Sequence, residues 1–517
     1  MRRVVAGVGA LAMLLSMLTA PSVAAPAANE VRIFGSEPAT FDPAAQEDAV
    51  TAAVNAQVWE TLTVFDANLT LRPALAASWD VADDGKRVTF HLRPGLSFSD
   101  GTRLGAQDVV GSWLRVIDPR HPSHLATLIR DVHGVPDYLS GRNTDPSSVG
   151  LEAQGSDVVV ELDRPHADFP AIAATPLFGV VPPSAWRDDQ GDFGPGAVVS
   201  GAYQLSAVTA SEITFKANAR YWAGKPAIDT VHLVLDIGGR DPITTFASGE
   251  LDYTQVSQID ALWLPYDPGL GSKLRFIQDL DTTYLGFDTR RKPFDDVRVR
   301  QAFGAAVDWA RVAALAALPT EIPAAAMVPP GIPGRSSSSW LPAHDPEHAR
   351  RLLADAGYPG GKGFPDVAFA TGFSALGSGI AAQLEQELGV KVRLETIADH
   401  YERLLGDDSP RMWIVSWIAD YPGANDFLGV LLGSKGSSNY GGWATPAFDA
   451  AIADALSATD PAAAQAAFDR AEAEVQRDVP TVPLVYDSTY ALSAEGLLGA
   501  GENGLGLQRW GGMSWAR

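Results

Sequence analysis

At 517 residues the chain exceeds what one hydrophobic core usually supports, so two or three lobes are expected. With 46% hydrophobic and 20% charged residues it has the composition of a folded globular protein. A formal charge of −23 with only eight Lys excludes a basic surface for nucleic acid, and the absence of Cys excludes disulfides, thiol chemistry and thiolate metal sites.

The chain opens with Arg2 and Arg3, an apolar run over 4–18, and small residues over 19–28, the pattern of an export signal. Cleavage is expected after Ala24, with Ala27 as the alternative, so segment 1–24 is removed. The apolar run of about fifteen residues is shorter than the roughly twenty that span a bilayer, which favours a signal over an anchor. Without Cys there is no residue for an N-terminal lipid, so an exported protein, periplasmic or released, is expected.

In RVTFHLRPG, Val88, Phe90 and Leu92 alternate as one face of a half-buried strand. Further strands are expected over 157–162, 283–287 and 412–417. Segment 295–318 carries Phe303, Ala306, Val307 and Ala310 at helical spacing. Asp345 and Pro346 form a helix start, followed by a stripe of Ala349, Leu352, Leu353 and Ala356 that Gly357 ends. Asp460 and Pro461 begin another helix, burying Ala464, Phe468, Ala471 and Val475. Segments 328–334 and 336–339 read as surface connections, and there is no short-period repeat.

Catalytic patterns are literal but unconvincing. His344, Glu347 and His348 match a zinc-hydrolase spacing, yet Pro346 belongs at a helix start and leaves His344 outside the helix. Ser374, between Gly372 and Gly377, has the wrong spacing for a nucleophile elbow and reads as a loop serine. Gly360–Gly363 lacks the Ser or Thr that follows Lys in a phosphate-binding loop. The pairs Asp83–Asp84 and Asp407–Asp408 read as solvated turns. No catalytic constellation, metal cluster or cofactor is implied.

The motifs taken in order resemble the oligopeptide/dipeptide-binding solute receptors of ABC importers. Segment 75–115, LAASWDVADDGKRVTFHLRPGLSFSDGTRLGAQDVVGSWLR, is similar to the family signature, with Arg103 where Pro is commoner. Ser200–Tyr203 (SGAY) and Asn218–Pro226 (NARYWAGKP) follow, then Ser248–Asp252, Tyr284–Asp288 and Pro293–Ala302. Ala356–Pro359, Trp417–Tyr421 and Pro480–Leu484 close the set. Each motif alone is weak; their shared order is specific.

The resemblance implies an α/β, two-lobed periplasmic-binding-protein fold of class II type, with an extra subdomain inserted in the first lobe. Lobe I would comprise 28–49, 181–285 and 492–517, the inserted subdomain 50–180, and lobe II 286–491. Ligand would lie between lobes that close by a hinge. The acidic residue of the family's ligand motif maps onto Asp420, which would pair with a ligand ammonium. Ser416 and Ile418 would offer main-chain groups to an extended ligand. Trp417 would form an apolar wall, with Trp413 as a further candidate. Arg403 and Arg411 are the nearby candidates for a ligand carboxylate, although the usual basic position is apolar at Ile414 and Val415. The expected partners are a short peptide or peptide-like molecule and separate membrane permease subunits, with the receptor a monomer. A non-peptide metabolite on the same fold is the first alternative. A secreted hydrolase using Ser374 or Asp420 is the second.

Overall fold

A computed structural model of the chain describes residues 29–82, 84–187, 191–316, 322–396, 403–404, 406, 408–458 and 460–516. The export signal, Asp83 and Asp407 lie outside the described residues.

Two large mixed sheets and one smaller sheet carry the fold. The first has seven strands in the order Leu274–Gln278, Ser488–Ser493, Tyr253–Val256, Glu30–Phe34, Thr230–Val234, Glu212–Ala217 and Tyr203–Val208. Glu30–Phe34 lies parallel to both of its neighbours. The second has six strands, ordered Ile322–Pro323, Thr481–Tyr486, Asp281–Phe287, Met412–Ile418, Ala368–Thr371 and Arg393–Glu395. Four antiparallel strands, Ala76–Val81, Arg87–Leu92, Asp157–Glu161 and Leu151–Gln154, make the smaller sheet.

The chain passes from the first large sheet to the second at 279–280 and returns at Asp487. The lobe boundaries expected at 285/286 and 491/492 fall inside Asp281–Phe287 and Ser488–Ser493. Neither strand has a Gly or Pro break where the sheets change, so nothing local marks the crossing. Asp281–Phe287 is buried at every residue because strands flank it on both edges and both of its faces are covered.

Helix starts follow their caps. The Asp345 carboxylate accepts from the His348 N–H at 2.9 Å and the Asp460 carboxylate from the Ala463 N–H at 3.1 Å, each followed by Pro as first helical residue. His344 therefore stands outside its helix. The helix expected over 295–318 is divided into Val297–Ala306 and Trp309–Ala316. Val307 is extended, and Asp308 accepts from the Arg311 N–H at 3.0 Å, capping the second piece. Apolar periodicity runs through this break, so the cap had to be read instead. Ser374 opens the helix Ser374–Leu388 and is not a loop residue. The connection 328–334 is also not superficial, since Val328 and Ile332 pack into the core, and Ser336 is buried.

The core beneath the smaller sheet runs on into residues of the second large sheet, such as Tyr284 and Trp413. Phe90, Trp113, Phe169 and Phe178 meet ring to ring beneath the smaller sheet. Tyr203 and Phe215 pack on Trp510, and Phe287, Phe294 and Phe303 cluster against the second large sheet.

Candidate functional site

Strand Met412–Ile418 runs antiparallel to Asp281–Phe287 along its full length. On its other edge it pairs with Ala368–Thr371 only through Met412, Trp413 and Ile414. Beyond Thr371 no described strand covers the edge at 415–418. The Ala419 N–H donates to the Leu280 carbonyl at 2.8 Å. Alternation along an antiparallel pair then turns the main-chain groups of Ser416 and Ile418 away from Asp281–Phe287, toward that open edge.

The strand ends at a cavity of about 290 Å³ between the two halves of the molecule. One wall is Trp417, Ile418, Ala419, Asp420 and Tyr440. The opposite wall comes from segments 46–52, 124–125, 175–176 and 505–507. Across the gap, Thr175 Oγ1 donates to the Asp420 carbonyl at 3.4 Å.

Asp420 is the chemically unusual residue. Its Oδ2 is sealed from solvent and has no hydrogen-bond partner. Burial pushes its carboxyl up to about 7, because desolvation penalises the charged form. Asp426 supports it from below: its Oδ2 accepts from the Trp417 indole Nε1–H and from the Asp420 main-chain N–H, both at 3.0 Å. One fully buried carboxylate thus fixes both the aromatic wall and the backbone that carries Asp420. Burial, with the nearby Asp420 charge, holds Asp426 well above the ordinary carboxylate range. Gln46 on the opposite wall is also buried, and its Oε1 has no partner. Burial pushes the His124 imidazole below its usual value, keeping it neutral near pH 7.

Of the seven residues expected at a ligand site, Asp420, Trp417 and Ile418 line this cavity. Ser416 does not line it: its hydroxyl donates to Asp281 Oδ2 at 3.0 Å, while its main-chain groups, those expected to meet a ligand, face the open edge. Trp413 is a core residue packed over Gly286, where an added Cβ would lie 2.5 Å from the indole. Arg403 pairs with Glu395 at 3.0 Å, and Arg411 precedes the far end of the strand, roughly 23 Å from Ile418 at about 3.3 Å per residue. Neither arginine lines the cavity. Arg411 stands before the end of the strand opposite Asp420, and Arg403 lies upstream of the strand altogether. Asp426, Gln46 and His124 were not anticipated. Asp426 follows Asp420 by six residues in an apolar setting, which is a faint signal; Gln46 and His124 arrive from distant segments and leave no local one.

A second cavity, about 330 Å³, lies between the inserted segment and the second lobe. In its lining Arg164 pairs with Asp131 at 2.8 Å, and Arg130 donates to the Lys435 main-chain carbonyl at 2.9 Å. Among the described residues no group of three His, Asp or Glu could hold a metal ion, and no helix is long and apolar enough to cross a membrane.

Residues 70–439 match the family described as bacterial extracellular solute-binding proteins, family 5 Middle. The chain is 29% identical over 472 residues to the probable deoxycholate-binding periplasmic protein YgiS of Escherichia coli, covering 87% of this chain and 86% of that one. It is 28% identical to the periplasmic oligopeptide-binding protein OppA of Salmonella typhimurium, covering 88% and 86%. Its fold matches the murein tripeptide-binding protein MppA of Escherichia coli with a TM-score of 0.83 at 24% identity, over 94% of this chain and 98% of that one. Haemophilus influenzae OppA, solved with RPPGFSPFR, matches with a TM-score of 0.80 at 22% identity, over 95% and 100%. The two-sheet, two-crossing architecture is that of a periplasmic binding protein, and this chain belongs to the bacterial extracellular solute-binding proteins of family 5.

Proposed function

We propose that this chain is the substrate-binding component of an ABC import system, capturing a peptide or peptide-like amine between its lobes and delivering it to a membrane permease. The observation that carries the reading is the unpartnered Asp420 Oδ2 on an interlobe cavity at the end of a strand whose edge is open. A buried carboxylate without a partner is costly, and a ligand ammonium supplies the missing charge-assisted bond. The main-chain groups of Ile418 can extend the sheet onto a ligand, while Trp417 walls its apolar part. Relatives named for oligopeptides support a peptide-like ligand.

Ligand bridging both walls favours the closed arrangement, so binding and closure are one equilibrium. The lobes change at 279–280 and at Asp487, the two crossings about which they would hinge. The receptor acts as an exported monomer, and its role is binding, not catalysis. A non-peptide solute on the same site is the second reading; a relative named for deoxycholate and one named for heme favour it.

The test is Asp420→Asn, assayed by calorimetry with a free-amine peptide and its N-acetylated twin. The free amine is expected to lose about a hundredfold in affinity, as for a buried charge pair deprived of one member, with the blocked peptide unchanged. Equal loss for both would remove the assigned role of Asp420.

A further inference from the structure

We infer that the site selects a compact ammonium compound with an apolar body and no carboxylate, a peptide amide or arylalkylamine in place of a free peptide acid. This rests on the reading of Asp420 as the ammonium acceptor.

The charge of the lining is one-sided. Asp420, Glu47 and Asp48 contribute carboxylates, and none of the described lining residues is Lys or Arg. The internal residues outside the description add none either, since 83, 188–190, 317–321, 397–402, 405, 407 and 459 contain neither residue type. His124 is kept neutral by burial. A ligand carboxylate entering this space would find no counter-charge and would be repelled by three carboxylates.

Hydrogen-bonding capacity points the same way. The two sealed side-chain atoms without partners, Asp420 Oδ2 and Gln46 Oε1, are both acceptors and stand on opposite walls. Two of the side-chain donors on the lining are already committed, Trp417 Nε1–H to Asp426 and Thr175 Oγ1 to the Asp420 carbonyl. A guest rich in donors satisfies both acceptors, whereas a second anionic end would bring further acceptors to a site whose unpartnered sealed atoms are acceptors. An ammonium carries three donors, enough for both walls.

Size and texture set the rest. The cavity, about 290 Å³, sits at the lower end of the usual range of roughly 300–1,000 Å³ for small-molecule sites. Trp417, Ile418, Leu125, Leu505, Leu507 and Pro176 make most of its surface apolar. The guest is therefore small, with one hydrophobic group beside its ammonium.

The experiment uses the full-length protein stripped of bound solutes by unfolding and refolding, titrated calorimetrically at pH 8. The probes are leucyl-phenylalanine, its C-terminal amide, the N-acetylated amide and 2-phenylethylamine. The dipeptide amide and phenylethylamine are expected to bind, with the free acid weaker by about thirtyfold, as for a buried charge left without a counter-ion. Free acid within threefold of the amide overturns this inference; if the N-acetylated amide still binds poorly, the Asp420 assignment survives. N-acetylated amide binding as tightly as the amide overturns both. Failure of the dipeptide amide and phenylethylamine to bind overturns the inference as well. Gln46→Leu, which removes one acceptor without touching the strand, is expected to weaken phenylethylamine by about fivefold, the value of one hydrogen bond.

Discussion

The main-chain N–H of Asp487 donates to Asp281 Oδ1 at 2.7 Å, tying together the two places where the chain crosses between its large sheets. Thr283 Oγ1 donates to Asp487 Oδ2 at 3.1 Å and Ser416 Oγ to Asp281 Oδ2 at 3.0 Å, so the junction is a compact polar knot. Asp279 lies beside it, accepting from Thr489 Oγ1 at 2.8 Å. In the proposed closure the lobes would turn about these carboxylates.

Burial and the neighbouring Asp487 charge hold Asp281 well above the carboxylate range, and burial lifts Asp279 to about 7 and Glu472 to about 8. Each folded value exceeds its unfolded value near 4, so the folded state holds extra protons between the two. Stability should therefore be greater in mild acid and fall as pH rises from about 5 to 8. Urea midpoints of the ligand-free protein at pH 5 and pH 8 check the sign. Asp281→Asn should flatten the slope, and a midpoint that climbs with pH would refute it.

Ammonium binding carries the opposite pH dependence. In the proposed mode the ligand would pair with ionised Asp420, whose carboxyl in the free protein is raised to about 7. Affinity for an amine should drop as pH falls through 7, approaching about tenfold per unit. Calorimetry at pH 8, 7 and 6 measures this, and Asp420→Asn should abolish the slope. A flat profile in the unaltered protein would remove proton–ligand exchange at this carboxylate.

Asp426 positions the site without lining the cavity. Asp426→Ala strands two buried donors, Trp417 Nε1–H and the Asp420 N–H, each at a cost of about 1–3 kcal/mol. Asp426→Asn keeps one acceptor oxygen and should lose less. Urea unfolding of the two variants, with amine affinity of each, separates a positioning role from a merely stabilising one: Asp426→Asn should be nearly as stable as the unaltered protein and recover most of the binding.

Glu60 anchors the C-terminal segment. It receives Arg509 Nη2 at 3.0 Å, Trp222 Nε1–H at 3.0 Å and the Tyr221 hydroxyl. Glu60→Ala leaves Arg509 without its counter-charge and should destabilise the fold by about 3–5 kcal/mol. A change below 1 kcal/mol in chemical unfolding would show that solvent replaces the carboxylate.

Gly286 has no room for a side chain, since a Cβ there would meet the Trp413 ring at 2.5 Å. Gly286→Ala should cost about 1–3 kcal/mol through displacement of that indole, measured by thermal unfolding. Trp413→Leu in the same chain should relieve the clash and recover part of the loss.

Local patterns carried a large share of this protein. Alternation in RVTFHLR marked the strand Arg87–Leu92, and Asp–Pro pairs marked the helices that begin at Pro346 and Pro461, because side-chain period and capping act within a few residues. The WIADY segment, through its resemblance to the family's ligand motif, pointed to Asp420, Trp417 and Ile418, which the fold brings together at one strand end. Tertiary structure alone decided the rest. Which strand edge stayed open depended on where Ala368–Thr371 stopped, 47 residues away in sequence from its partner's end at Ile418. That Asp426 turned inward, that Gln46 and His124 reached the opposite wall, and that Arg403 and Arg411 did not, followed from long-range packing. Periodicity reports which face of an element is buried; it is silent on what that face meets, and a binding site is made of such meetings.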